Sequence, residues 1–100
     1  MESKPLSGYQ VYLSRVAEKQ LCKLHKDIQQ TIIKTLHWLV DNETHSLDIK
    51  KLSGYEKLYR LRVGDFRIVY EAMHKKVTVH VIYIGHRKNI YDDLKRLIGG

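Results

Sequence analysis

Arg60, Arg62 and Arg67 lie close together in the chain, and His86, Arg87 and Tyr91 form a second short group after them. These residue types suit phosphate chemistry. A guanidinium is a planar fork that makes two parallel hydrogen bonds to a phosphate. An imidazole beside it can act as a general acid or base, and a tyrosine can stack on a base or donate a proton. Gathered on one surface, the arginines repel one another, and a polyanionic partner relieves that repulsion; otherwise they are solvated or satisfied by carboxylates within the fold. The histidines, His25, His37, His45, His74, His80 and His86, show no HxH or HExxH spacing, and Cys22 is the only cysteine. No metal site and no cofactor are therefore expected.

The elements that must position these groups lie between Leu58 and Tyr91. Gly64-Asp65 suits a two-residue type II′ hairpin turn. That turn sets Val63 opposite Phe66, Arg62 opposite Arg67, Leu61 opposite Ile68, Arg60 opposite Val69 and Tyr59 opposite Tyr70. Paired residues project to the same side of a sheet. Tyr59, Leu61, Val63, Phe66, Ile68, Tyr70 and Ala72 then form a core face, and Arg60, Arg62, Arg67, Val69 and Glu71 form the other. A following turn at 74–75 or 75–76 puts Val79, Val81 and Tyr83 on the core face and Thr78, His80 and Ile82 on the arginine face. Slipping the register by one residue would turn Leu, Ile and Phe to water. Gly85 ends the strand, His86-Arg87-Lys88 makes a basic corner, and Asn89 caps a helix near 90–97 with Ile90, Leu94 and Leu97 on one side.

Upstream, residues 1–8 read as an irregular lead-in and residues 9–13 as a short first strand. Ser14 is a candidate N-cap. Val16, Ala17, Leu21, Leu24, Ile28, Ile32, Leu36, Leu39 and Val40 then recur at helical spacing. The capping-box spacing of Asp27 and Gln30 divides this run into helices near 15–25 and 28–41, with one bent helix as the alternative. Cys22 falls on the apolar stripe or just beside it, and Trp38 near its edge as a core or rim aromatic. Residues 41–55 are polar and read as a loop pinned by Leu47, Ile49 and Leu52. The order is β-α-α-β-β-β-α, an α+β fold with a small antiparallel sheet and helices on one face. Residues 1–100 make one domain with a frayed 99–100 end.

The chain carries 18 Lys+Arg against 11 Asp+Glu, a formal net charge of +7. That balance favours a nucleic acid, an acidic protein or an anionic membrane and does not choose among them. No apolar leader and no membrane-length apolar run is present, so a membrane location is not expected, and a single cysteine suits a reducing interior.

The residues LSGYEKLYRLRVGDFRIVYEA and VTVHVIYIGHRKNIY resemble the RelE/ParE superfamily toxins of bacterial type II toxin–antitoxin systems. The matching elements are Leu-x-Gly from Leu52 to Gly54, Leu-Arg-x-Gly-x-Phe/Tyr-Arg-Ile/Leu-Val-Tyr from Leu61 to Tyr70, and Gly-His-Arg-x-x-x-Tyr from Gly85 to Tyr91. The opening YQVYLSRVAEKQLCKL is also similar, so nearly the whole chain is covered. The His-Arg…Tyr ending points toward the RelE-like branch.

The resemblance implies a RelE-like toxin fold and a ribosome-dependent mRNA endonuclease that needs no metal. In such toxins the 2′-hydroxyl of the RNA attacks the adjacent phosphate, giving a 2′,3′-cyclic phosphate and a free 5′-hydroxyl. By position, Arg67 and Arg87 match the phosphate-holding arginines and Tyr91 the active-site tyrosine. Arg60 stands where some members have a lysine. Arginine hardly deprotonates near neutral pH, so Arg60 reads as a charge stabiliser, and proton transfer falls to Tyr91, His86 or the substrate and ribosome. Leu58 stands where some relatives carry another lysine, and Arg62 compensates. The RNA-contacting set expected is Arg60, Arg62, Lys50, Lys51, Lys57 and Lys88. Implied partners are a cognate acidic antitoxin, the ribosome with mRNA in its A site, and operator DNA through the toxin–antitoxin complex, all in the cytoplasm. Two alternatives share the fold: a ParE-like DNA gyrase inhibitor, and a non-toxic homologue that only binds.

Overall fold

Gly64 has φ 58°, in the left-handed region, and it turns the chain between β4 (Leu58–Val63) and β5 (Phe66–Met73). A residue with a Cβ is strained there, and glycine is not. The ladder closes in the register expected: Val63 opposite Phe66, Arg62 opposite Arg67, Leu61 opposite Ile68, Arg60 opposite Val69 and Tyr59 opposite Tyr70. The computed structural model describes residues 4–5, 11–40, 46–73 and 78–97. Residues 1–3, 6–10, 41–45, 74–77 and 98–100 lie outside it. With them go the start of the expected first strand, the turn at 74–75 or 75–76 and the 99–100 end.

The sheet is mixed, ordered β1-β2-β6-β5-β4-β3. Here β1 is Lys4–Pro5, β2 is Val11–Leu13, β3 is Asp48–Lys51 and β6 is Thr78–His86. β2 runs parallel to β6, and the other pairings are antiparallel. The α+β order therefore holds, with three corrections. The sheet is not wholly antiparallel, because β2 lies beside β6 in the same sense. Part of the lead-in is a strand, since β1 pairs with β2. Part of the expected loop is an edge strand, since β3 pairs with β4.

Helices α1 (Arg15–Cys22) and α2 (Lys26–Val40) cover one face of the sheet. Ala17, Leu21, Ile32, Leu36 and Leu39 join Val11, Leu13, Leu61, Ile68, Tyr70, Val79, Val81 and Ile84 in the main core. Truncating one of these large buried side chains to alanine costs about 2–5 kcal/mol. Ser14 starts α1 as expected, its Oγ accepting from the Ala17 N–H at 3.0 Å. The same hydroxyl donates to the Ile82 carbonyl at 2.8 Å, and the Ile84 N–H donates to Gln20 Oε1 at 2.7 Å. The β2 ladder stops at Val81, and α1 supplies partners for the next backbone groups of β6.

The second helix begins at Lys26, so Asp27 sits inside its first turn and the expected capping box is not what starts it. Instead Gln29 Nε2 reaches back to the Leu24 carbonyl at 2.7 Å and closes the corner. Cys22 and Val16 are exposed, off the apolar stripe. Trp38 is at the rim, with Lys34 Nζ 5.1 Å from its ring centroid.

The larger departure is in β6. Val69 pairs with Tyr83 but Tyr70 pairs with Val81, so Ile82 is an extra residue in a bulge. The bulge reverses the alternation beyond it. Ile84, not Tyr83, joins the helix-covered core. Tyr83 turns to the opposite face, where it packs with Leu52, Leu58, Val69 and Ile90, against Tyr55 and Ile82. Gly85 permits this. A Cβ there would lie 2.8 Å from the Tyr83 hydroxyl oxygen and 2.9 Å from Cζ. Residues 52–55 and the start of α3 (Ile90–Leu97) therefore cover part of a face expected to be open.

Two outcomes follow. Gly85→Ala should cost about 1–3 kcal/mol through overpacking, read as a lower urea midpoint, and should cost little extra in a Tyr83→Ala background. Burial, reinforced by charge repulsion from the neighbouring Tyr59 phenolate, pushes the Tyr70 hydroxyl up to about 12. The folded protein thus holds this proton more tightly than the unfolded chain. About 3 kcal/mol of stability, intact below pH 10, should be lost as pH rises through 12, and the Tyr70→Phe protein should lack that loss.

Candidate nucleic-acid interface

Cross-strand partners share a face, so the ladders sort the second face into rows. Asp48, Arg62, Arg67 and Gly85 form one row across β3, β4, β5 and β6. Lys50, Arg60, Val69 and Tyr83 form the next, and Leu58, Glu71 and His80 the third. Cations hold the β3–β4 side and the hairpin end. The apolar strip of Leu58, Val69, Tyr83 and Ile90 lies beside them.

Arg67 is the most enclosed of the arginines, at 9% exposure. Its Nη1 donates to the Gly64 carbonyl at 2.8 Å and to the Phe66 carbonyl at 3.0 Å. The turn itself therefore orients this guanidinium through neutral acceptors. Burial lowers its pKa first, the charges of Arg62, Arg60 and Arg87 lower it further, and Asp48 partly opposes them. It stays protonated, but four cations act on one another, so an anion is favoured among them.

Arg60 has a side chain only 14% exposed, and its Nη2 lies 2.9 Å from Asp48 Oδ1. Its Nε is buried and has no hydrogen-bond partner. Arg62 is half exposed, with Nη1 3.7 Å from Asp48 Oδ2. One carboxylate thus bridges two arginines. Arg87 follows β6, and its backbone N–H donates to the Asp65 carbonyl at 2.9 Å. Its Nε lies 3.9 Å from Asp65 Oδ1, with both side chains exposed. The hairpin turn thereby holds the Arg87 corner near Arg67.

The remaining expected residues divide. Lys50 shares the arginine face. Lys51 pairs with Tyr59 and belongs to the opposite side, where it is exposed. Lys57 is exposed in the turn before β4, and Lys88 is exposed in the corner after β6. His86 pairs with Phe66, on the side away from Arg67. Its ring meets Phe66 edge-on at 5.8 Å, and its Nδ1 accepts from the Lys88 N–H at 3.2 Å. The register therefore sets His86 on the face opposite Arg67, although Arg87 follows it directly in the chain. Tyr91 follows the buried Ile90 in α3, and its side chain lies outside the described residues. Asp48 was not anticipated; its signal is the polar-apolar-polar alternation of Asp48-Ile49-Lys50, with Ile49 packed inward. Among the described residues, no three His, Cys, Asp or Glu side chains gather to hold a metal ion, and no helix is long and apolar enough to cross a membrane.

The family described as the ParE toxin of the type II toxin–antitoxin system parDE matches residues 11–91. A RelE-like toxin protein of Escherichia coli is 34% identical over 82 residues, covering 80% of this chain and 84% of that one. Toxin RelE3 of Methanocaldococcus jannaschii is 46% identical over 46 residues, covering 46% of this chain and 50% of that toxin's length. Among solved structures, the RelB–RelE antitoxin–toxin complex of Methanococcus jannaschii contains a similar chain, with TM-score 0.64 and 32% identity over 80% of this chain and 94% of that one. The fold is that of these small α+β toxins. The chain belongs to the RelE/ParE superfamily of toxins of type II toxin–antitoxin systems.

The hydrogen bonds of Arg67 carry a stability consequence. Arg67→Ala should lower stability by about 1–3 kcal/mol, because two turn carbonyls lose their donor, whereas Arg62→Ala should stay within about 0.5 kcal/mol. Urea unfolding of the two variants distinguishes them.

Proposed function

We propose that this toxin cleaves mRNA on the ribosome, by attack of a ribose 2′-hydroxyl on the adjacent phosphate. The O2′–P bond forms, the P–O5′ bond breaks, and the products are a 2′,3′-cyclic phosphate and a 5′-hydroxyl. The observation that carries this reading is the gathering of Arg60, Arg62 and Arg67 on one sheet face, with Arg87 at the corner after β6, all three neighbours acting electrostatically on Arg67. Negative charge grows on the phosphorane as it forms, and fixed guanidinium donors stabilise that charge more than the ground state. Arg67, held by turn carbonyls, meets the requirement for a donor that need not reorganise. Arg60 serves as a charge stabiliser. Tyr91 remains the candidate for proton transfer, and the placement of His86 beside Phe66 does not favour it.

The relatives solved as RelB–RelE complexes support a cognate antitoxin for this chain as well, acidic enough to neutralise the basic face. The ribosome is the site of action, which sets the protein in the cytoplasm, and operator DNA is contacted through the toxin–antitoxin complex. Lys50 extends the RNA-contacting face, while Lys57 and Lys88 border it. A ParE-like action on DNA gyrase is the second reading, favoured by the description of the matching family. In that case Arg87 and Tyr91 have no chemical duty.

Arg62 and Arg87 are both about half exposed, so their removal should leave the fold intact. On ribosomes carrying a defined message, the Arg62→Ala/Arg87→Ala protein should cleave at least about 100-fold more slowly than the parent chain. Normal folding with undiminished cleavage would refute the assignment of this face.

A further inference from the structure

Asp48 stands where a phosphate is expected. Its two carboxylate oxygens reach Arg60 Nη2 at 2.9 Å and Arg62 Nη1 at 3.7 Å. It lies in the same row as Arg62 and Arg67, at the edge strand β3. The contact with Arg60 uses one guanidinium nitrogen and leaves the buried Nε without a partner. Asp48 therefore mimics the charge of a phosphate while satisfying the fork incompletely.

Three features say which way this contact works. The Asp48 side chain is 51% exposed, so it re-enters water readily when displaced. The Arg60 side chain is 14% exposed, so packing against the sheet holds it in place without the aspartate. Neighbouring cations crowd Arg67, and Asp48 is the anion that partly offsets them. Removing a carboxylate so placed frees donors for another anion and leaves their geometry in place.

We propose that Asp48 is a specificity-determining residue: an internal substitute for a substrate phosphate, which occupies Arg60 and Arg62 in the absence of RNA and is displaced when an RNA phosphate binds. The inference rests on the RNA-cleaving reading above, because it takes the arginine face to be the RNA-binding face. Asp48 thereby weakens contact with any polyanion that offers charge alone. It favours a backbone held long enough, and in the right register, to take over both arginines.

The test uses the intact chain and a short 2′-O-methyl oligoribonucleotide, which lacks the attacking hydroxyl and so reports binding without cleavage. Binding is measured across a range of salt concentrations for the parent, Asp48→Asn, Asp48→Ala, Arg62→Ala and Asp27→Asn. Asp27, exposed in the first turn of α2, gives the same change of charge away from this face. Both Asp48 variants should bind about three- to tenfold more tightly, with a slope of log K against log salt steeper by about 0.7, the increment of one further phosphate contact on a single strand. Asp27→Asn should change neither by a comparable amount. Unchanged or weaker binding by both Asp48 variants, while Arg62→Ala still weakens binding, would overturn the inference and leave the RNA-binding reading standing. Equal tightening by Asp27→Asn would overturn it too, by reducing the effect to net charge. An Arg62→Ala protein that binds as the parent does would overturn the RNA-binding reading of the face, and the inference with it.

Discussion

Leu61 and Ile68 face one another across β4 and β5 with no exposed surface, and the rest of the structure depends on that pairing. Gly64 sets it by turning the chain in the left-handed region. Once Leu61 and Ile68 face the helices, alternation leaves Arg60, Arg62 and Arg67 no choice but the other side. A one-residue slip would expose the core and bury the arginines together, and both changes are costly. The same apolar pairing that stabilises the fold therefore also gathers like charges that gain little from one another.

How the charges are tolerated is the second physical point. Arg67 is enclosed yet lies on neutral carbonyls of its own turn, so it keeps its charge without a paired carboxylate among the described residues. Asp48 reaches across from β3 to Arg60 and Arg62, and Asp65 ties the Arg87 corner to the hairpin. These contacts fix the cations and leave their total charge only partly offset. Beside them, Tyr83, Val69, Leu58 and Ile90 form a dry strip. A leucine at position 58, which looked like a missing cation, is packing in that strip.

Much of this was legible in the sequence, for reasons that can be named. Gly64-Asp65 and the alternation around it set the β4–β5 register, and the helical period placed the α1–α2 run to within a few residues, although the capping-box spacing that divided it does not start α2. Three features were hidden. The run Val81-Ile82-Tyr83-Ile84 is apolar throughout, so period-two reasoning could not reveal the bulge that turns Tyr83 away from the main core. The edge strand β3 offers only Ile49 to the core, and its polar remainder reads as loop. The corner between the helices is closed by Gln29 on the Leu24 carbonyl, a contact that capping-box spacing does not signal. For the site, the arginines were evident by type and parity. His86 looked equally suited by type, but pairing with Phe66 sets it on the other side. Asp48 was missed because its role depends on a strand that was missed.

The central claim is that the arginine face acts on RNA held by the ribosome. Its most direct measurement is to induce the toxin without an antitoxin and map the 5′ ends of cellular mRNA. New 5′-hydroxyl ends confined to translated frames, and absent when Arg62 and Arg87 are both alanine, are the predicted result. Intact mRNA accompanied by double-strand DNA breaks would contradict the claim and move the target to gyrase.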